Sequence, residues 1–141
     1  MELILLVGPP GSGKTTYYEN NLKDHLRISQ DDQGKVEHWK IFEKAIKNKT
    51  PNVVVDRVNH QKYQRERYLN LAKQNGYETV IIHLKVPYDI CLKRMIVRKN
   101  HPTISNEITA KLALGNFFKN FEEISVAEAD MIITIEHTNN N

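Results

Sequence analysis

The chain has 141 residues and a formal net charge of +3, with 40% hydrophobic and 26% charged residues. These values are ordinary for one globular domain, and no apolar run approaches the roughly 18 residues of a membrane span. The apolar start lacks a basic leader and a small-residue cleavage site, so it predicts a strand and not a signal peptide. The single cysteine, Cys91, excludes an internal disulfide framework, and we expect a cytoplasmic protein.

The charge is unevenly distributed along the chain. Residues 57–99 contain ten Lys or Arg against three acids, whereas residues 100–141 contain two bases and six acids. A basic segment of this kind is typical of proteins that bind an anionic substrate or nucleic acid. A solvated helix face without a partner explains the charge equally well, so charge alone does not choose between them.

The predicted elements alternate between strands and helices. Leu3–Val7 is a continuous apolar run, the pattern of a strand buried on both faces of a parallel sheet. Later elements follow from apolar spacing and breakers, with Asn59 expected to cap the third helix. They are a helix at 14–23, a strand at 25–29, a helix after Asp31 and Asp32, a strand at 53–55, a helix at 59–75, a strand at 79–86, a basic helix at 87–99, a helix at 106–123 broken near Gly115, and a strand at 130–136.

This alternation predicts an α/β fold with a mainly parallel sheet. The chain contains no repeat and no interdomain linker, so residues 1–137 are expected to form a single domain. Only residues 138–141 are expected to be a disordered tail.

The turn after the first strand carries the strongest motif. Gly8 is followed, after four residues, by Gly13-Lys14-Thr15, the phosphate-binding pattern G-x-x-x-x-G-K-[ST] between a buried strand and a helix. Its backbone amides can close around phosphates at the positive end of the helix. We expect Lys14 to contact the β/γ-phosphates of ATP or GTP and Thr15 to bind Mg²⁺. The predicted nucleotide-binding residues are Gly8, Gly11, Ser12, Gly13, Lys14, Thr15 and Thr16.

The third strand argues against a nucleotide hydrolase. ATP-hydrolysing machines usually end this strand with Asp-Glu, but Arg57 follows Asp56 here. The guanine-reading Asn-Lys-x-Asp of GTPases is also missing. These features favour a small kinase, which needs no base to activate water.

A kinase needs a carboxylate at the acceptor hydroxyl and cations around the transferred phosphoryl group. Asp31 and Asp32 follow the second strand, at the edge where ligands of parallel sheets gather, although a turn with a helix cap would also explain them. Arg94 and Arg98 project from one face of the basic helix and can fork onto phosphate oxygens. A solvated face is the alternative for this arginine pair.

The chain resembles the P-loop polynucleotide 5′-kinases, especially the phage-type kinase domain, from residue 1 to about residue 123. The segments that carry the resemblance are GPPGSGKTT, ISQDD, VVVDRVN and VPYDICLKRMIVR, in this order. The resemblance implies a five-stranded parallel sheet in the order 2-3-1-4-5, a helical lid, and ATP or GTP with Mg²⁺ as cofactors. It also implies a phosphotransferase that uses an alcohol group of a nucleic acid as acceptor.

The resemblance further implies roles for single residues. Asp31 would be the general base, and Asp56 would support the metal and the base. Arg98 would contact the donor phosphates, with Arg94 aiding it or bracing the lid. The implied catalytic residues are Lys14, Asp31, Asp56 and Arg98, the metal residues are Thr15 and Asp56, and the acceptor-binding candidates are Asp32, Lys35, Arg57 and Asn59.

One departure from the family concerns the acceptor. The phage members have an arginine three residues after the base, which grips a phosphate of the acceptor, whereas this chain has Gly34. Lys35 and Arg57 are the candidates to replace it. The leading hypothesis is transfer of the γ-phosphate to a 5′-hydroxyl of DNA or RNA. The others are transfer to a hydroxymethyl base in DNA or to a small molecule, and a non-catalytic nucleotide-binding module.

Overall fold

The computed structural model describes residues 1–98 and 104–137, so the predicted tail at 138–141 lies outside the described residues. The strands are β1 (Glu2–Val7), β2 (Leu26–Ile28), β3 (Asn52–Asp56), β4 (Glu78–Lys85) and β5 (Met131–Glu136). The helices are α1 (Lys14–Asn21), α2 (Gln30–Gln33), α3 (Lys35–Lys47), α4 (Lys62–Gln74), α5 (Tyr88–Arg98) and α6 (Ile104–Asn120). Across the two described ranges, no helix is both long and apolar enough to cross a bilayer.

The five strands form one parallel sheet in the order β2-β3-β1-β4-β5, which confirms the predicted fold. The central strand β1 is covered on both faces. Leu3 and Leu5 pack with Phe42 of α3 and Tyr68 of α4, while the opposite face of the strand packs against α1. Because all strands run the same way, their carboxyl ends meet at one edge, and the loops that carry the polar motifs converge there.

Three local predictions differ from the structure. The turn after β2 contains a separate short helix, α2, and Gly34 ends it with a φ of +90° before α3 begins. Asn59 is not a helix cap, because α4 starts after Gln61, whose N–H donates to the side chain of Gln64 at 3.2 Å. Gly115 does not break α6, since the cost of about 1 kcal/mol for a glycine in a helix is smaller than what packing supplies.

A buried ion pair ties α4 to the segment before β5. The side chains of Arg65 and Glu128 are 0% and 3% exposed, and Arg65 Nε donates to Glu128 Oε1 at 2.7 Å. The guanidinium also donates to the backbone oxygens of Asn59 (3.1 Å) and Glu122 (3.0 Å). One side chain thus satisfies carbonyls from two loops that have no regular structure of their own.

Replacing Arg65 by methionine is expected to lower the free energy of unfolding by about 3–5 kcal/mol, because the charge of Glu128 is then buried without a compensating cation, although the N–H of Ser125 still donates to its Oε2 at 2.6 Å. Urea unfolding measures this loss. The surface pair Lys47 and Glu43, four residues apart on α3, is the control, and Lys47→Met should cost less than about 1 kcal/mol. Equal losses in the two variants would contradict a structural role for the buried pair.

Candidate active site

The predicted phosphate-binding loop joins β1 to α1 and packs against α5. Gly13 is the N-cap of α1 with a φ of +95°, a left-handed conformation that glycine adopts without strain. A Cβ atom on Gly11 would lie 2.7 Å from the backbone oxygen of Cys91 in α5, so only glycine fits this approach. The loop is therefore held between the sheet and α5, with the unpaired N–H groups of the first turn of α1 available to an anion.

A cleft of about 600 Å³ lies in front of this loop, at the carboxyl edge of the sheet. Its walls come from the loop itself, from the segments after β2 and β3, and from α5. The predicted site residues that line it are Gly11, Gly13, Lys14, Thr15, Thr16, Asp31, Asp56, Arg57 and Arg98. A second cleft of about 520 Å³ shares Gly13, Thr16 and Arg98 with the first and is also lined by Ser12 and Arg94. Gly8 lies beside Ser12 and Leu84 and lines neither cleft.

Lys14 folds back onto the loop. Its Nζ donates to the backbone oxygens of Gly8 at 3.0 Å and Pro9 at 2.9 Å. Burial lowers the pKa of Lys14 to about 8, against the opposing effect of the nearby negative charges of Asp56 and Asp31. Its ammonium is therefore poorly neutralised by its surroundings, which favours the approach of a phosphate.

We expect the affinity for a nucleoside triphosphate to fall as the pH rises through about 8, where free Lys14 loses its proton. Binding above this pH requires proton uptake, so the affinity should fall by up to about tenfold per pH unit. Titrations between pH 7 and about 9.5 measure the trend, with Lys14→Met as the control that should show no such slope. An affinity for the unmodified protein that stays constant across this range would contradict the role of Lys14.

Thr15, in the first turn of α1, meets Asp56 at the carboxyl end of β3. Thr15 Oγ1 donates to Asp56 Oδ2 at 3.0 Å, although the two residues are 41 positions apart. One hydroxyl and one carboxylate beside a phosphate-binding loop suit Mg²⁺, which usually binds through one or two carboxylates together with substrate phosphates. The two predicted metal residues thus lie together, and their donor atoms fit the ion. In the part of the chain that the structure describes, no group of three His, Cys, Asp or Glu residues forms another metal site.

Arg27 of β2 belongs to this cluster and was missed by the sequence analysis. Its Nε and Nη2 donate to Asp56 Oδ2 at 2.9 and 2.8 Å, and its Nη1 pairs with Asp32 Oδ2. Nothing in the local pattern singled it out, because an arginine in a three-residue edge strand looks like a surface position. Only the pairing of β2 with β3 brings it beside Asp56.

The two carboxylates after β2 have different surroundings. Ser29 caps α2 by accepting a hydrogen bond from the N–H of Asp32 at 3.4 Å, which fixes the position of both aspartates. Asp32 forms an ion pair with Arg27. Asp31 is exposed and lines the cleft. Its negative charge is close enough to Lys14 to act against the lowering of the Lys14 pKa. Asp31 is thus the carboxylate of the pair that faces the phosphate-binding loop.

The two arginines of α5 also differ. Arg94 Nη1 donates to the backbone oxygens of Gly11 (3.4 Å) and Ser12 (3.3 Å), so it braces α5 against the loop. Arg98 is exposed, lines both clefts, and contributes a positive charge that opposes protonation of Lys14. One arginine therefore fixes the helix, and the other is available for a ligand.

Arg57 is held in the cleft by a chain of buried groups. Its Nη1 donates to the hydroxyl of Tyr68 at 2.7 Å, and this hydroxyl is 2.7 Å from Nε2 of His38. Burial lowers the pKa of His38, which favours its neutral form. Nδ1 of His38 lies 3.2 Å from the backbone oxygen of Gly34. The position that lacks the family's arginine is thus connected to Arg57 through two side chains.

The other three acceptor-binding candidates do not line the cleft. Lys35, the first residue of α3, is exposed and does not line the cleft. Asn59 is 0% exposed, and its amide donates to the backbone oxygen of Leu6 at 2.8 Å. Asn59 cannot contact an acceptor because its side chain is buried and its amide is hydrogen-bonded to β1. This hydrogen bond attaches the segment after β3 to β1. Asp32 is exposed, pairs with Arg27 and does not line the cleft either.

Comparisons with known proteins relate this chain to P-loop domains and to kinases. A family model described as an AAA domain matches residues 26–117. A protein of Acanthamoeba polyphaga mimivirus named putative bifunctional polynucleotide phosphatase/kinase is 30% identical over 124 residues, which cover 85% of this chain and 29% of the relative. A protein of Methanococcus maripaludis named L-seryl-tRNA(Sec) kinase is 27% identical over 141 residues, covering 85% of this chain and 52% of the relative. The chain thus spans about half or less of these curated relatives.

Among solved structures, a fungal RNA kinase superposes with a TM-score of 0.72 at 17% identity, covering 99% of this chain and 77% of that chain. At this identity the likeness concerns the fold, which is of the kinase type. Together with the family match and the phosphate-binding loop, it confirms the family resemblance drawn from the sequence. This chain belongs to the AAA-domain family of P-loop proteins and has a kinase-type, nucleotide-binding P-loop fold.

Proposed function

We propose that this protein is a Mg²⁺-dependent kinase that transfers the γ-phosphate of ATP or GTP to a 5′-hydroxyl of DNA or RNA, in the cytoplasm. The observation that carries the proposal is the meeting of two kinds of residue in one cleft. Lys14 and Thr15 are suited to the donor phosphates, while Asp31 faces them from the other wall. A module that only holds a nucleotide has no need of a carboxylate in that place.

Each residue has a part in the proposed transfer. The loop amides and Lys14 bind the β- and γ-phosphates at the positive end of α1. Asp31 accepts a hydrogen bond from the acceptor hydroxyl, aims its oxygen at the γ-phosphorus and takes its proton as the new P–O bond forms. The bond between the γ-phosphorus and the β,γ-bridging oxygen breaks at the same time, and the nucleoside diphosphate leaves with that oxygen. Arg98 stabilises the negative charge that spreads over the transferred group. Mg²⁺, held at Thr15 and Asp56, would neutralise charge on the phosphates.

The shape of the site supports a nucleotide donor that spans both clefts. The second cleft adjoins the loop on the side of Arg94 and is lined by side chains of α1 and β5. Asp31 lines the first cleft only, so the acceptor should enter there. The nucleoside of the donor is then expected to extend from the loop into the second cleft.

Arg57 supports a phosphate-bearing acceptor. Arg57 lines the first cleft, and its guanidinium is hydrogen-bonded to Tyr68 instead of to a carboxylate, so its charge is not neutralised by that contact. A guanidinium in this state is suited to a phosphate group. The basic residue that the sequence lacks at Gly34 is thus supplied from the end of β3, which favours a nucleic acid over a neutral small molecule.

The alternative acceptors are a hydroxymethyl base within DNA and a small molecule such as a nucleoside or sugar. Transfer from γ-labelled ATP or GTP separates them. The acceptors to compare are 5′-hydroxyl oligonucleotides of DNA and RNA, DNA with hydroxymethyluracil, and a panel of nucleosides and sugars. Label on the oligonucleotides that terminal phosphatase removes is the expected result.

Label that resists terminal phosphatase would instead indicate that the acceptor is an internal base, and label on small molecules alone would overturn the proposal of a nucleic acid acceptor.

Arg57→Ala provides a second test, because it should raise the KM for an oligonucleotide roughly 10–100-fold. Arg67→Ala is the matched control, since Arg67 stacks on Trp39 at 4.0 Å and does not line the cleft. Equal KM values for the two variants would contradict a phosphate contact at Arg57.

A further inference from the structure

Arg27 occupies a position that the proposed reaction does not explain. Its side chain is 22% exposed, and its guanidinium contacts the side chains of Asp56, Asp32 and Thr15. It pairs with Asp56 and with Asp32, and its Nη2 lies 3.4 Å from Thr15 Oγ1. The same two groups, Thr15 and Asp56, are the proposed metal residues.

The contacts converge on one atom. Asp56 Oδ2 accepts hydrogen bonds from Nε and Nη2 of Arg27 at 2.9 and 2.8 Å and from the hydroxyl of Thr15 at 3.0 Å. A metal ion needs a lone pair of a ligand oxygen and a distance near 2 Å, as for Mg²⁺. A cation bound at this oxygen beside Thr15 would meet the guanidinium at close range, and the two positive charges would repel each other.

The burial of Asp56 explains why a guanidinium is there. The side chain of Asp56 is 4% exposed, and a buried carboxylate without a compensating charge is costly. Among the described residues, Arg27 is the only basic side chain that forms an ion pair with it. The guanidinium therefore supplies the charge that a bound divalent cation would supply.

We propose that Arg27 is an internal counter-cation of the metal site, which a divalent cation must displace from Asp56. Asp32, which is 61% exposed, also pairs with Arg27. The displaced guanidinium can therefore keep this ion pair, next to Asp31, the proposed general base. Metal binding and the Arg27–Asp56 pair are then mutually exclusive. Arg27 weakens metal binding in the absence of nucleotide, and the phosphates of the donor overcome this competition.

This inference rests on the proposed function for the identity of the site, but its test does not require any kinase reaction. Binding of Mn²⁺ to the nucleotide-free protein is measured by electron paramagnetic resonance, which reports the free ion. Arg27→Gln is expected to bind Mn²⁺ about tenfold more tightly than the unmodified protein, within the usual range of coupling between sites. Thermal unfolding in EDTA checks that each variant is folded.

Two controls isolate the competition from a general change of charge. Arg67→Gln removes the same charge at a residue that stacks on Trp39, away from the cleft, and should leave Mn²⁺ affinity within about twofold. In the background of Asp56→Asn, adding Arg27→Gln should no longer raise the affinity. An unchanged or weaker affinity in Arg27→Gln would overturn the proposal, as would a gain that persists without the carboxylate.

A measurement on the unmodified protein covers the case in which Arg27→Gln does not fold. The Nε–H of Arg27 is hydrogen-bonded to Asp56, so its proton should exchange slowly in nuclear magnetic resonance spectra. The signal is assigned by its absence in Arg27→Lys. Saturating Mg²⁺ is expected to speed this exchange at least several-fold, and an exchange rate that Mg²⁺ does not change would overturn the proposal. Either result stands even if no acceptor is phosphorylated.

Discussion

Replacing Asp31 by asparagine is expected to reduce kcat roughly 10²–10⁴-fold while nucleotide affinity changes little. The amide has the shape of the carboxylate but cannot take a proton from the acceptor. Asp31 is exposed in the cleft, so its substitution removes no packing contact from the fold. Steady-state rates with the labelled donor measure the first quantity, and equilibrium binding of a fluorescent nucleotide measures the second.

Asp32→Asn is the matched control for this variant. Asp32 is in the same short helix and is also exposed, but its carboxylate pairs with Arg27. Its loss should change kcat far less than the loss of Asp31. If Asp31→Asn retained close to the full rate, Asp31 would not be the general base, and equal losses at both positions would mean that the two carboxylates act together.

Replacing Arg98 by alanine is expected to reduce kcat by roughly 10³-fold, because a guanidinium that contacts the transferred phosphoryl group acts mainly on the transition state. Arg98 lines both clefts and is close enough to Lys14 to influence its pKa. The stability of the nucleotide-free protein should stay the same, since the side chain is exposed. Single-turnover kinetics at saturating nucleotide isolates the effect on the chemical step.

Arg94→Ala, one helical turn earlier, should give the opposite combination. Its hydrogen bonds to the carbonyls of Gly11 and Ser12 attach α5 to the loop, so we expect a loss of about 1 kcal/mol in stability and a smaller loss in kcat. If Arg94→Ala lowered kcat more than Arg98→Ala, the roles assigned to the two arginines would have to be exchanged.

The alternation of strands and helices was predictable from the sequence because its patterns are local, whereas the strand order 2-3-1-4-5 was implied by the family resemblance. Continuous apolar runs at 3–7 and 53–55 indicate strands buried on both faces, and breakers such as Gly76 end the helices between them. The phosphate-binding loop was equally predictable, since all of its residues lie within eight positions. The errors at Gly115 and Asn59 have the same origin, because a glycine or an asparagine signals a boundary only where tertiary packing does not decide otherwise.

What the sequence determined by itself is the order of the strands and helices along the chain and the phosphate-binding motif, from which Lys14 is predicted to contact phosphates and Thr15 to bind Mg²⁺. The tertiary structure decided which of two adjacent aspartates faces the cleft, because the partner of Asp32 is Arg27 from a neighbouring strand. It also decided that Arg57 is oriented by Tyr68 and that Asn59 is buried. These facts depend on contacts between segments far apart in the chain, and such contacts leave no trace in the local pattern of residues.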